Sequence, residues 1–229
     1  MTPLITGISS MATRAVLADL LAIYRQDYGC ELQMESVGGV DAAKRVLAGE
    51  VFDVVVLASD AIDRLIAAGR VLPASRVDLV QSGVAVAVRA GAPLPDISTE
   101  AALRSAVLAA RSVGSSTGPS GVKLAQLFER WGISEQIRSR TVVAPPGVPV
   151  GELVARGEVE LGFQQLSELI HQDGISVVGP LPAGIQINTT FSAGVCSASK
   201  QPQAVRALLG CLASPQARAA KLRHGMTPA

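Results

Sequence analysis

Aromatic side chains are scarce: one Trp, two Tyr and four Phe, 3% of 229 residues. With so few flat rings and a formal net charge of +1, the chain lacks both the stacking platforms and the positive field that nucleic acid requires. Charged residues are few as well, 17% against 48% hydrophobic, a balance that excludes disorder. Three cysteines, Cys30, Cys196 and Cys211, are odd in number and follow no metal-ligand spacing. They read as unreactive thiols of a reducing compartment, with one disulfide left open as the alternative. His171 and His224 form no cluster with them, so no metal and no zinc chemistry is expected. No apolar run is long enough to cross a bilayer, so membrane insertion is not expected either. Met1, Thr2 and Pro3 run straight into Leu4 and Ile5 without a basic or apolar leader segment. The chain as written is therefore expected in the cytoplasm, and in the periplasm if a signal segment has been removed.

Hydroxyls and glycines are what the chain does have, in two concentrated places. Ser115, Ser116, Thr117, Gly118, Pro119, Ser120 and Gly121 directly precede the apolar-periodic run Val122, Leu124, Ala125, Leu127, Phe128. The loop opens a helix, where free N–H groups and the helix dipole favour an anion. Near the chain start, Gly7, Ile8, Ser9 and Ser10 follow a short apolar strand and lead into Ala15, Val16, Leu20, Leu21, Ile23. Ser10 or its neighbour again caps a helix at a strand end. Ordinary helix capping explains either place alone; together they imply a cleft that binds an anion.

Strand and helix alternate with short connections. Strands are expected at 4–8, 30–36 and 53–57, with helices beginning near Ser10, Asp41 and Asp60. Such units demand a parallel sheet covered on both faces. A strand over 82–88 opens a second series: helices at 100–110 and 121–131, a strand at 141–144, a helix at 150–156 and a strand at 161–163. A long strand-like segment, 185–195, precedes helical stretches at 203–212 and 215–223. The expected organisation is one α/β lobe from 1–81 plus 190–229 and a second from 82–189, with two hinge strands near Gly83 and Thr190.

With these residues in view, the chain resembles the type II periplasmic-binding-protein fold, and within it the molybdate-binding proteins and their relatives. The resemblance spans essentially the whole chain. It is carried by Ser9 and Ser10 at the first helix opening and by Ala43, Lys44, Arg45, Val46, Leu47, Ala48, Gly49, Glu50. Asp53, Val54, Val55, Val56, Leu57, Ala58, Ser59, Asp60 add to it, as do Gly118, Pro119, Ser120, Gly121 and Gly157, Glu158, Val159, Glu160, Leu161, Gly162. It closes with Ser214, Pro215, Gln216, Ala217 through His224, Gly225, Met226. The resemblance implies an α/β, two-lobed fold with a ligand cleft between the lobes. It implies an oxyanion held by Ser10, Ser120 and the amides near Gly147 and Val148, with Ser9, Ser59, Thr117 and Gly121 in the same set. Two departures stand out. Gly38 and Gly39 occupy the place of a usual serine, and Gln164 and Gln165 that of a usual tyrosine. Glycine lets backbone amides approach an anion closely, and two side-chain amides suit an extended polycarboxylate better than a small tetrahedral ion.

The runs Gly162 to Leu169 and Ala144 to Pro149 also resemble a branch of this fold that includes aconitate isomerase. That resemblance implies a cofactor-independent allylic proton shift between cis- and trans-aconitate. The alternative is a non-catalytic solute-binding component, partnered by an ABC permease if exported, or a cytoplasmic anion sensor. Candidate catalytic groups are His171, read as lying on a helix, Gln165, and Arg14, one turn past Ser10 and able to fork onto a carboxylate. Lys123 reads as a surface residue, with neutralisation of the same ligand as the alternative; Asp60 reads as a helix cap and Glu168 as a surface residue, either being a competent general base if it faces the cleft; Trp131 reads as packing at a helix end. A DNA-binding segment of the kind a regulator needs is not expected.

Overall fold

The computed structural model describes residues 4–29, 31–145 and 147–229. The expectations placed on Met1 to Pro3, Cys30 and Pro146 lie outside the described residues. In chain order the first elements are β1 (Leu4–Ser10), α1 (Arg14–Tyr28), β2 (Glu31–Val37), α2 (Gly39–Leu47), β3 (Val54–Ala58), α3 (Ser59–Ala67) and β4 (Val77–Arg89). Next come α4 (Glu100–Ala109), β5 (Val113–Ser115), α5 (Pro119–Arg130), α6 (Ser134–Ile137), β6 (Thr141–Val143), α7 (Val150–Arg156), β7 (Leu161–Gln165) and α8 (Leu166–Leu169). The chain ends with β8 (Ile175–Pro180), β9 (Asn188–Val195), α9 (Pro202–Ala213), α10 (Arg218–Arg223) and β10 (Thr227–Pro228). It divides into two compact units, Met1–Gln81 with Thr190–Ala229, and Ser82–Thr189.

In the first unit β1 pairs in parallel with β2 and β3, and β9 runs antiparallel along β3. The β3 sequence Val-Val-Val-Leu-Ala is buried throughout, because both of its faces are covered. Its side chains alternate between two cores. Val54 and Val56 pack with Val16, Leu17 and Leu20 of α1 and Leu208 of α9. Val55 and Leu57 pack with Val46 of α2 and Ile62 and Leu65 of α3. The helix from β1 to β2 thus lies on one face, and the helices that follow β2 and β3 lie on the other.

The second unit repeats the scheme. The strand order is β4-β7-β5-β6, with β5 parallel to β6 and β7, and both β7 and β8 antiparallel to β4. Val84, Val86 and Val88 of β4 pack with Leu103 of α4, Leu124 and Phe128 of α5 and Phe163 of β7. Ala85 and Ala87 point the other way, toward Leu169 of α8. Gly162 is required where it stands: a Cβ there would lie 2.4 Å from Val154 Cγ2.

Several boundaries differ from expectation. The first strand runs on through Ser9 and Ser10, and a 3-10 turn, Met11–Thr13, precedes α1. The fourth begins at Val77, not at Ser82. The segment 185–195 is not one strand: a 3-10 turn ends at Ile185 and β9 begins at Asn188. Three strands, β5, β8 and β10, escaped the reading: β5 and β10 have three and two residues, too few for a periodic signal, and β8, Ile-Ser-Val-Val-Gly-Pro, shows no strict alternation. Cys196 and Cys211 are free thiols. Burial, then the nearby Asp53 carboxylate, pushes the Cys196 thiol up to about 12.

Asp53 fastens the ends of the first unit together. Its carboxylate accepts the Thr6 N–H at 3.0 Å, the Thr6 hydroxyl at 3.1 Å, the Ser199 hydroxyl at 2.6 Å and Gln201 Nε2 at 3.2 Å. Its own N–H donates to the Thr6 carbonyl and its carbonyl accepts from Cys196 N–H. Burial works to raise the Asp53 pKa, and the hydrogen bonds from Ser199, Thr6 and Gln201 outweigh it, so the group stays below its ordinary value. Asp53→Ala would strand these donors and is expected to cost about 2–4 kcal/mol by urea unfolding at pH 7. Because the folded pKa is depressed, this stability is present above the unfolded value of 3.8 and lost as pH falls below it. The gap between wild type and variant should therefore narrow at pH 3; a constant gap would contradict an ionic origin.

Candidate functional site

Three helix starts meet neighbouring strand ends in the first unit, because β1, β2 and β3 are parallel and in register. Ser10 sits opposite Val37 and Ser9 opposite Val56. The Ser10 hydroxyl accepts the Ala12 N–H at 3.4 Å, capping the turn that leads to α1, and the Ser10 carbonyl accepts the Thr13 hydroxyl at 3.0 Å. Ser9 is fully buried, with its hydroxyl 2.8 Å from that of Ser36. Gly38 and Gly39 open α2, which has no side-chain cap, and a Cβ at Gly39 would lie 3.4 Å from Ser10 Oγ. Ser59 opens α3 and donates to the Thr190 carbonyl at 3.3 Å. Ser9, Ser10, Gly38 and Gly39 are thus brought together, and Ser59 lies at the end of the adjoining strand β3. Arg14 is exposed on the first turn of α1. Asp60 is not a cap: it is exposed and pairs with Arg64 one turn on, at 3.0 Å.

In the second unit β5 delivers Ser115 to the edge from which α5 starts. Gly118 is the uncapped entry to that helix and Pro119 its first residue. Ser120 is buried, Thr117 exposed. The helix start is pressed against the preceding loop, since a Cβ on Gly121 would fall 1.8 Å from the Ser116 carbonyl oxygen. Gly147 takes a positive φ of 80°, and the Val148 N–H donates to the Pro145 carbonyl at 3.0 Å. That amide is already used within its turn. Lys123 is exposed and reaches the Asn188 carbonyl at 3.5 Å, and the Trp131 indole donates to Glu100 at 2.6 Å where α5 ends.

Gln164 and Gln165 sit on opposite faces of β7, as alternation demands, and so do different work. The Gln164 carbonyl accepts the Gly151 N–H at 3.1 Å, and its Nε2 donates to Glu168 at 2.8 Å. Both halves of this amide are engaged inside the unit. Gln165 is 97% buried, being 3% exposed. Its Nε2 donates to the Thr189 hydroxyl at 2.8 Å, while its Oε1 has no partner among the described residues. A buried carbonyl left without a donor costs about 1–3 kcal/mol, so the position is suited to a ligand or a water. His171 is exposed and lies in the turn beyond α8, not on a helix as expected, because α8 ends at Leu169.

Glu168, expected at the surface and as a general base only if it faced a cleft, is not a freely solvated surface residue. It is only partly accessible, and burial pushes its carboxyl up to about 7, with the Gln164 hydrogen bond opposing that rise. Its four-residue spacing from Gln164 was the one available signal. The same reading missed Ser36, Gly151 and Thr189 as partners of Ser9, Gln164 and Gln165. Among the described residues no group of three or more His, Cys, Asp or Glu is placed to hold a metal ion, and no helix is long and apolar enough to cross a membrane.

Since the folded pKa of Glu168 lies above the unfolded 4.5, ionising it costs stability between these values, and the penalty is complete above about 7. Glu168→Gln is therefore expected to raise Tm by roughly 3–6 °C at pH 8 and to leave it unchanged at pH 4. Thermal melts at both pH values check this, and equal shifts at the two would contradict a buried ionising carboxyl.

Over 230 residues, 98% of this chain and 87% of the relative, the sequence is 40% identical to an aconitate isomerase from a Pseudomonas species. The periplasmic molybdate-binding protein of Azotobacter vinelandii superposes with a TM-score of 0.82 at 19% identity, covering 97% of this chain and 98% of that one. The sulfate-binding protein of Mycobacterium tuberculosis superposes with a TM-score of 0.80 at 17% identity, covering 100% and 87%. These likenesses establish the type II periplasmic-binding-protein fold. The model of the family described as bacterial extracellular solute-binding protein matches residues 5–227, and the chain belongs to that family.

Proposed function

We propose that this protein binds a small di- or tricarboxylate and interconverts cis- and trans-aconitate by an allylic proton shift. The observation that carries the reading is the 40% identity to an aconitate isomerase over nearly the whole chain. The local geometry supports it. The uncapped start of α2 beside Ser10 and the start of α5 at Ser120 each offer N–H groups and a hydroxyl to a carboxylate. Within the second unit the Gln165 amide is a further polar group that a carboxylate can take up. Rotating that amide end for end would let Oε1 accept from Thr189 and turn Nε2 toward the ligand.

A proton removed from the carbon next to a carboxylate leaves an enolate-like charge, which fixed amide donors stabilise. The exposed Arg14 adds a cation that can approach the ligand from the start of α1. No cofactor is invoked, because the shift is redox-neutral and returns its proton.

A second reading rests on the family match and on neighbours named for molybdate, sulfate and tungstate binding. Under it the chain captures an anion without changing it and, when exported, hands it to an ABC permease.

A thermal-shift screen separates the ligand classes. Citrate and both aconitates should raise Tm more than molybdate, tungstate or sulfate, by mass action on the folded state. A strong molybdate response with none to carboxylates would reverse the ranking. Ser10→Ala and Ser120→Ala should each weaken aconitate binding in calorimetry by about 1.5–3 kcal/mol, the value of a hydrogen bond to a charged group. Isomerase activity on cis-aconitate should fall with that affinity; tight binding without turnover leaves the solute-binding reading.

A further inference from the structure

The end of β7 holds two polar groups that the fold leaves incompletely used. One is Gln165 Oε1, buried and unpartnered among the described residues. The other is the Glu168 carboxylate, three residues further on in the first turn of α8. Its hydrogen bond from Gln164 Nε2 is the one found among the described residues, and no cation there lies within ion-pairing distance of it. A carboxylate that served only to hold α8 in place would be expected to face a cation or bulk water. This one faces the Gln164 amide and still keeps partial access to solvent.

The amide cannot turn away. Gln164 Oε1 is held by the Gly151 N–H, so the NH2 end must point at Glu168. An oriented donor on one carboxylate oxygen fixes the carboxyl plane and leaves the second oxygen for another partner. Fixed orientation, limited solvation and remaining access are what a proton-transfer group needs.

We propose that Glu168 is the catalytic acid–base of the isomerisation, the group that takes the proton from one carbon of the substrate and returns it to another. Gln164 is then a positioning residue, acting only through Glu168. The role rests on the isomerase reading above. In the forward step the Glu168 carboxylate removes a proton from the methylene carbon of aconitate. The C–H electron pair spreads over the three-carbon allyl unit and its carboxylates. The Glu168 carboxylic acid, formed in that step, gives the proton to the former vinyl carbon. One C–H bond breaks and one forms, the double bond moves by one carbon, and Glu168 returns to its starting state. No oxidant, reductant or co-reactant is consumed. A group balanced near neutrality by burial suits both halves of this cycle, since it must act as base and then as acid.

The test uses the full chain with cis-aconitate as probe, in wild type, Glu168→Gln and Glu168→Asp. Glutamine keeps an oxygen for the Gln164 amide and removes the proton-carrying function. NMR in deuterated water reads isomerisation and exchange of the methylene protons together, and calorimetry reads binding. Glu168→Gln is expected to lower kcat by roughly a hundredfold or more and abolish exchange, with the Kd for cis-aconitate changed less than about threefold. Glu168→Asp, a shorter carboxylate, should retain part of the rate. A Gln variant within threefold of wild type in kcat overturns the role of Glu168 while leaving the isomerase reading intact. A loss of rate that is matched by a loss of binding makes Glu168 structural and likewise overturns it. A wild-type protein that binds aconitate but neither isomerises it nor exchanges its protons overturns the isomerase reading, and this role with it.

Discussion

Parallel strands can be joined only by crossing back over the sheet, and that constraint arranges everything else here. Each crossover begins where a strand ends, so helix after helix starts from the same edge of its sheet. In the first unit this sets α1, α2 and α3 beside Ser10, Gly39 and Ser59; in the second it sets α5 beside Ser120 and α8 beside Gln165. Helix starts concentrate unused N–H groups, so the backbone itself makes this edge favourable to an anion. The net charge of +1 says nothing of this, because the field comes from the backbone.

The opposite edge of the first sheet has the complementary task. There Asp53 gathers β1, the exit of β9 and the approach to α9, its carboxylate accepting four hydrogen bonds from within the unit. Gln201 Oε1 beside it and Gln165 Oε1 in the second unit are buried side-chain atoms without a partner among the described residues, polar groups placed by the fold and not consumed by it.

Much of the fold was legible because its signals are local and periodic. The strand expected at 53–57 and the helices expected at 100–110 and 121–131 lie within one or two residues of β3, α4 and α5. What escaped depends on contacts distant in sequence. Nothing near Glu168 reveals that Gly151 fixes the Gln164 amide so that its NH2 end points at the Glu168 carboxylate. The paired glutamines looked alike in sequence, and only the pleat of β7 separates their roles. Ser9 was singled out for its hydroxyl, yet its bond to Ser36 depends on the register between β1 and β2.

The collision that any side chain at residue 121 would suffer with the Ser116 carbonyl has a consequence for the loop before it. The loop 115–118 is set against the first turn of α5 at a spacing that only a hydrogen atom fits. Any side chain at 121 would have to push the loop and the helix start apart, so the spacing between them is set by the one residue that has none.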